Sequence, residues 1–458
     1  MISVKRLMLF YFYCTLIIPT ATHLFFGRTH GISIHPGIII HGLVLLILLH
    51  NFILRLLHRL VVLNIPVKLI LGFGFVFILN LFLIEYLQIS VNRNISGSYS
   101  EWLSADFHNI SHYASIRYSF EYGFKIFLFL FLSEYVHFNY NFFKNKISKI
   151  LVFNTVILLL NVYIGFTFKL GELSYGTLSD SYRGYLSAND TSVFSFVGFG
   201  TGLFLLNQNE RKSQLVTYLV LLILSLGSII IIGTKSIFFC MLLGIFFIIR
   251  KKSKVISSKH TIKKISILCM LLIVFAVIIT SDSFKKRIFL NYAQQYSHGI
   301  RSLSKYDLEN NSKILSVLNY IAPNRIIIGI VLLIYQFEEV TLNTFLGFGP
   351  AGIFEKFGRP PQAHLFSFVG HYGLIGFILF YVPQFKLCYN IVIKRKFNLA
   401  TALFAAVLIY GALGGFLYSV SNTATVFSIL FASSVKYISS ESKKSGWNNR
   451  LKDISEKI

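Results

Sequence analysis

The sequence predicts an all-α polytopic integral membrane protein of about twelve transmembrane helices, with a large outer loop before the tenth span. Three observations predict it. Over 458 residues, 55% are hydrophobic and only 13% are charged, with a mean hydropathy of +0.66, a balance that no soluble domain of this length can solvate. Apolar runs approaching the ~20 residues needed to cross a bilayer recur from the first residues to the last. Lys and Arg gather in alternate loops, which is the asymmetry of the positive-inside rule.

Lys5 and Arg6 precede an apolar run ending at Phe26. That run is long and is followed by others, so it reads as the first span rather than a cleaved leader. Further runs lie near 34–54, 66–87, 124–137, 150–168, 191–206, 215–233, 236–249, 265–281, 364–383, 399–418 and 423–436. No soluble domain remains between them, and the chain reads as a single polytopic membrane domain over 1–458. Alternation from a cytoplasmic start puts Arg55/Arg59, Lys144/Lys146/Lys149, Arg211/Lys212, the basic stretches 250–264 and 386–396 and the tail on the inner side. Loops 88–123, 169–190 and 282–363 then face outward, and both termini are cytoplasmic.

The net charge of +25 is mostly this bias. Anionic inner-leaflet lipid is its sufficient partner, and nucleic acid is not implied. Cys14, Cys240, Cys269 and Cys388 are scattered without a CxxC pair, so neither a disulfide framework nor a thiolate metal site is expected. His108 and His112 are spaced for one helix face, but no third ligand is spaced to join them, and an interfacial helix is the reading there. Glu85 and Glu134, inside apolar runs, are read as helix-end residues that reach an interface.

The polar residues with chemical content lie in the outward loops. In loop 169–190, Arg183 stands among small and hydroxylic residues just before a span. Its guanidinium can fork onto a phosphate or simply snorkel at the interface. Lys235, in the short turn Thr234-Lys235-Ser236, is an anchor or a second phosphate contact. The third loop carries Arg287, Arg301 and then Arg325, which starts an apolar run of about 13 residues, too short to cross and expected to lie along the outer surface or as a re-entrant helix. Glu338/Glu339 end that run, so the charges at both ends oppose the helix dipole.

The stretch over residues 346–381, LGFGPAGIFEKFGRPPQAHLFSFVGHYGLIGFILFY, organises the rest. Gly347, Gly349, Pro350 and Gly352 make a turn, Lys356 and Arg359 a short basic run, and prolines 360 and 361 forbid a helix just before His364. That histidine therefore sits past a rigid elbow at the mouth of a span.

Arg325, its partly apolar helix, LGFGPAGIF, and His364 opening a span that contains GLIGF together resemble the signature region of the O-antigen polymerase and ligase superfamily of bacterial inner-membrane enzymes. Arg183-Gly184 with Ser187-Ala188-Asn189 resembles that family's arginine, glycine and asparagine before a span, and Thr234-Lys235-Ser236 is similar to its Ser-Arg turn. Three departures stand out. Leu365 follows His364 where Asn is usual, His371 replaces a glutamate, and the turn carries lysine. Such divergence is more like a polymerase than a ligase.

The resemblance implies metal-independent glycosyl transfer from an undecaprenyl-pyrophosphate-linked oligosaccharide at the periplasmic face, with no cofactor and with a chain-length regulator as a partner protein. Arg325 and Arg183 would be catalytic cations, His364 the base, and Lys235, Arg287, Arg301, Arg359 and Asn189 substrate-binding residues. A transporter or flippase is the competing class. It would carry charged residues and broken helices at mid-span. A scaffolding membrane protein is the third.

Overall fold

The computed structural model describes residues 3–26, 36–86, 112–177, 182–186, 188–208, 212–232, 325–338, 342–349, 353, 364–393, 397–414 and 421–455. They are mostly helical. Among the described residues, four helical stretches are long and apolar enough to cross a membrane, Gly37–Leu57, Ile65–Leu83, Ile147–Phe168 and Leu365–Ile393, with shorter apolar helices at Thr191–Leu206, Val216–Ile232 and Leu399–Gly411. Large side chains such as Leu46, Ile78, Phe75 and Leu160 stand exposed along these helices, as lipid-facing side chains do and as a soluble surface does not. The chain is membrane-embedded and multi-pass. The expected spans 236–249 and 265–281 lie outside the described residues.

The described residues divide into two compact units. The first contains α1 (Val4–Tyr13), α2 (Ile17–Phe26), α7 (Ile147–Phe168), the strands β1 (Glu172–Thr177) and β2 (Tyr182–Gly184), α8 (Ala188–Gln208) and α9 (Lys212–Ile232). The expected first span is two helices here, with Asn154 of α7 set against their junction. Its Nδ2 donates to the Phe12 carbonyl at 2.9 Å, and its Oδ1 accepts from Leu16 N–H at 3.3 Å. α8 and α9 pack antiparallel through small residues. Gly198 faces Ser225, Gly202 faces Leu222, and the Ser228 hydroxyl donates to Ser195 Oγ at 2.8 Å. Without a hydrophobic drive between helices in lipid, such close small-residue contact is what holds a hairpin together. β1 and β2 form an antiparallel hairpin, which the all-α reading of loop 169–190 did not anticipate.

The second unit contains α3 (Pro36–Leu57), α4 (Ile65–Leu79) and its π-helical continuation Asn80–Tyr86, α5 (His112–Phe138), α6 (Tyr140–Phe143), α10 (Arg325–Glu338), α11 (Leu342–Leu346), α12 (His364–Ile393), α13 (Leu399–Gly414) and α14 (Ser421–Ser455). Two helix starts are capped by asparagine. The Asn64 side chain accepts from Val67 N–H ahead of α4, with Pro66 in the first turn. Asn398 and Thr401 exchange side-chain bonds to each other's backbone N–H ahead of α13.

An aromatic core joins these helices. Phe73 of α4 packs on Phe127, Phe368, Tyr372 and Phe380, and Phe129 of α5 packs on Phe380, Phe427 and Phe431. These pairs fix directions. Phe52 meets Phe131 while Arg55 meets Glu134, so α3 and α5 are parallel. Tyr122 meets His371 while Phe129 meets Phe380, so α5 and α12 are parallel. Gly72 meets Leu379 while Asn80 meets His371, so α4 runs against α12.

Candidate functional site

α12 is broken in the membrane. Gly373 has φ 64° and ψ −169°, a region open essentially to glycine alone. The Val369, Gly370 and His371 carbonyls are those beside the break, and an unbroken helix would pair the last two with the Leu374 and Ile375 N–H groups beyond it. Each is supplied from another element. Gln336 Nε2 of α10 donates to the Val369 carbonyl at 3.1 Å, Phe348 N–H donates to the Gly370 carbonyl at 2.7 Å, and Asn80 Nδ2 donates to the His371 carbonyl at 3.0 Å.

The segment 346–349 is the wedge that makes this possible. Gly347 and Gly349 both have positive φ, 80° and 71°, and a Cβ at Gly347 would collide with the His371 carbonyl. The same Asn80 amide donates to the Leu346 carbonyl at 2.7 Å, so one side chain joins the elbow, the break and α4. On the other side Gln336 Nε2 also donates to the Asn343 carbonyl at 2.9 Å, and the Thr344 hydroxyl donates to the Gln336 carbonyl at 2.9 Å. Irregular backbone survives at this depth because protein donors replace water.

Arg325 and His364 are the first residues of α10 and α12. A Cβ on Gly329 would strike the Phe366 ring, one on Gly370 would meet Leu332, and Gln336 reaches the Val369 carbonyl. From the 329–366 contact to the 332–370 contact both helices advance, and the long Gln336 side chain reaches back to 369, so α10 and α12 run parallel. Two predicted site residues, Arg325 and His364, therefore lie on neighbouring helices at the same end of this unit, as the first described residues of α10 and α12.

Arg183 belongs to the first unit, on β2, and is half-buried. Its placement comes from Asn161 of α7, whose Nδ2 donates to the Arg183 carbonyl at 3.0 Å while its Oδ1 accepts from Tyr185 N–H at 3.0 Å. Gly184 sits inside that bracket at φ 66° with no room for a Cβ against Asn161. Asn189 lies in the first turn of α8, in the same unit. Lys235, Arg287, Arg301 and Arg359 lie outside the described residues.

Sequence reasoning missed Asn80 and Asn161. The signal was present, since each is a lone amide inside an apolar run, FILNLFL and LLLNVYI, and an amide there needs a partner. Glu134 is not a residue reaching for the interface. It is buried and forks with Arg55, Nη1 to Oε1 at 2.7 Å and Nη2 to Oε2 at 2.5 Å, and the guanidinium lies 4.4 Å from the Phe138 ring centre. Among the described residues no group of three or more His, Cys, Asp or Glu could hold a metal ion. No protein-family model matches the chain, and no curated protein matches it, so any family assignment rests on the residues and geometry given above.

Proposed function

We propose that the chain is an O-antigen (surface polysaccharide) polymerase of the bacterial inner membrane, with both termini cytoplasmic. The observation that carries this reading is the common start of α10 and α12, which brings the Arg325 and His364 backbones to one end of the unit beside the elbow. A hydroxyl of the next lipid-linked repeat attacks the anomeric carbon of the growing glycan. The bond from that carbon to the diphosphate oxygen breaks, and the electron pair leaves with undecaprenyl pyrophosphate. The hydroxyl proton passes to the His364 imidazole. Arg325 and Arg183 hold the leaving charge, fixed cations in place of a metal ion. Lys235, Arg287, Arg301, Arg359 and Asn189 are the further substrate contacts of this reading, and a chain-length regulator is its protein partner.

A ligase would share this chemistry and differ in its acceptor, the lipid A core. A transporter is the second reading, and the break at Gly373 favours it, because transporters use the freed carbonyls of broken helices to coordinate ions. Here the Val369, Gly370 and His371 carbonyls already accept from protein donors, which supports a scaffolding role for the break. The test is deletion of the gene. A polymerase deletion leaves lipid A core with a single repeat, and a ligase deletion leaves bare core with polymer stranded on the polyprenyl carrier. An unaltered ladder would remove both readings and leave the transporter.

A further inference from the structure

α3 turns one face toward its own unit and leaves the other open. His41, Val44, Leu48 and Phe52 are buried, with Phe52 on the Phe131 ring, and Arg55 on the same side is closed by the Glu134 fork. The opposite side carries Ile39, Leu43, Leu46, His50, Ile53 and Leu57, and every one of them is exposed. Of the four stretches able to cross a membrane, this is the least covered.

The exposed set is spaced by alternate steps of four and three residues, which are the a and d positions of a seven-residue repeat. With His50 at a, Phe52 falls at c and Arg55 at f, so the contacts inside the unit leave the seam untouched. From Ile39 to Leu57 the seam runs about 27 Å, close to the ~30 Å of a bilayer's hydrocarbon. Parallel helices wind left-handed about one another along such a seam, in lipid as in water.

His50 is the polar member of the seam. It lies seven residues before the end of the stretch at Leu57, about 10 Å along the axis and farther than an imidazole extends. Among the described residues no hydrogen bond or ion pair reaches its ring. A polar side chain left so in hydrocarbon is costly, and calls for a partner.

An imidazole is its own complement, because the neutral ring carries one donor nitrogen and one acceptor. Two copies inserted in one membrane share an orientation, so their two-fold axis lies along the membrane normal and an a position meets the same position of the other copy. A single polar residue at a also fixes register, since any slip would set it against an apolar side chain. The expected spans 236–249 and 265–281 fit the seam less well. Between Ser236 and Arg250, and between Ser266 and Thr280, they carry no stronger hydrogen-bonding side chain than the Cys240 and Cys269 thiols.

We infer that the exposed seam of α3 is the interface of a parallel homodimer, in which His50 hydrogen-bonds to His50 of the partner subunit. The inference is independent of the glycosyl-transfer reading, because the seam lies opposite the face that α3 packs into its unit.

The experiment uses the full-length chain in membranes, with the four native cysteines replaced and one cysteine added at a time. Oxidation should give a covalent dimer from Leu43→Cys, Leu46→Cys and Ile53→Cys, and little from Leu45→Cys or Ile38→Cys, which lie off the seam. Equal cross-linking at all five positions would mean random collision and would overturn the interface. No cross-link at the seam would overturn it too. Seam thiols open to a lipid-soluble maleimide would then show that the face meets lipid, and protected ones that another segment of the chain covers it. Energy transfer between labelled copies in liposomes tests the histidine. His50→Leu should weaken association roughly three- to thirtyfold, the worth of one interhelical hydrogen bond in lipid. His50→Asn keeps a donor and an acceptor and should stay close to wild type. Unchanged association in an inserted His50→Leu would overturn the histidine pair. If His50→Leu fails to insert, His50→Asn and the cross-links decide, and loss of association in His50→Asn overturns the pairing.

Discussion

The side-chain amide of Asn161 brackets Arg183, giving a hydrogen to its carbonyl and accepting one from Tyr185 N–H, each at 3.0 Å. Removing the amide takes one hydrogen bond from each of these two half-buried peptide groups, at about 0.5–1.5 kcal/mol each. Asn161→Leu should therefore loosen the Arg183 turn, and Gly184→Ala should do the same by driving a Cβ into Asn161. Both variants should shorten the polysaccharide ladder at matched membrane levels of protein. A full-length ladder in both would separate the bracket from function.

Replacing Arg325 or Arg183 by alanine should cost about 3 kcal/mol or more of transition-state stabilisation, roughly a hundredfold in turnover. Lysine should rescue only in part, because a point charge lacks the guanidinium fork. An anchoring arginine would be replaced by lysine without loss. His364→Ala should abolish polymer while the protein stays inserted. Chain-length laddering in cells reads all five variants. Wild-type ladders from Arg325→Ala and His364→Ala would remove the mechanism.

Breaking the Arg55–Glu134 fork should destabilise the second unit more than removing it whole. The two side chains are 11% and 3% exposed, so Arg55→Met or Glu134→Leu alone leaves a buried charge and should cost about 3–5 kcal/mol, whereas the double variant should recover much of the loss. Thermal unfolding of the three variants in detergent checks this. Additive losses would mean that the pair is not coupled.

Gly373→Ala forces a residue with a Cβ into a glycine-only conformation, at about 1–3 kcal/mol, and sets that Cβ against the Phe345 carbonyl. The variant should lower the unfolding midpoint. Gly74→Ala in α4 is the control, since φ there is ordinary and nothing lies within 4 Å of its Cβ. The change at position 373 should be the larger one.

The elbow was the most legible part of the chain, because glycine and proline act on their own backbone. Gly347 and Gly349 take the left-handed conformation expected of them, and the prolines at 360 and 361 lie outside the described residues. The apolar run after Arg325 was legible as a short helix, but its packing against α12 was not, because that depends on Gly329 and Gly370 meeting side chains distant in sequence. Hydropathy read the long helix 364–383 as a plain span and could not see the break, since Gly373 is one glycine among several. The β-hairpin escaped because Glu172 and Gly184 pair through backbone bonds that no side-chain pattern announces. Glu134 was misread because its partner lies 79 residues earlier in the chain, on another helix.

Asn80 also sets an order of events during synthesis. Its two acceptors, the Leu346 and His371 carbonyls, lie 266 and 291 residues further along the chain. At ~5–20 residues per second, α4 enters the membrane on the order of tens of seconds before either acceptor exists. Through that interval the amide must be satisfied by water, by the insertion machinery or by its own helix. A chain released before residue 346 would keep an amide with no lasting partner, and would be marked for quality control by the residue that ties the finished protein together.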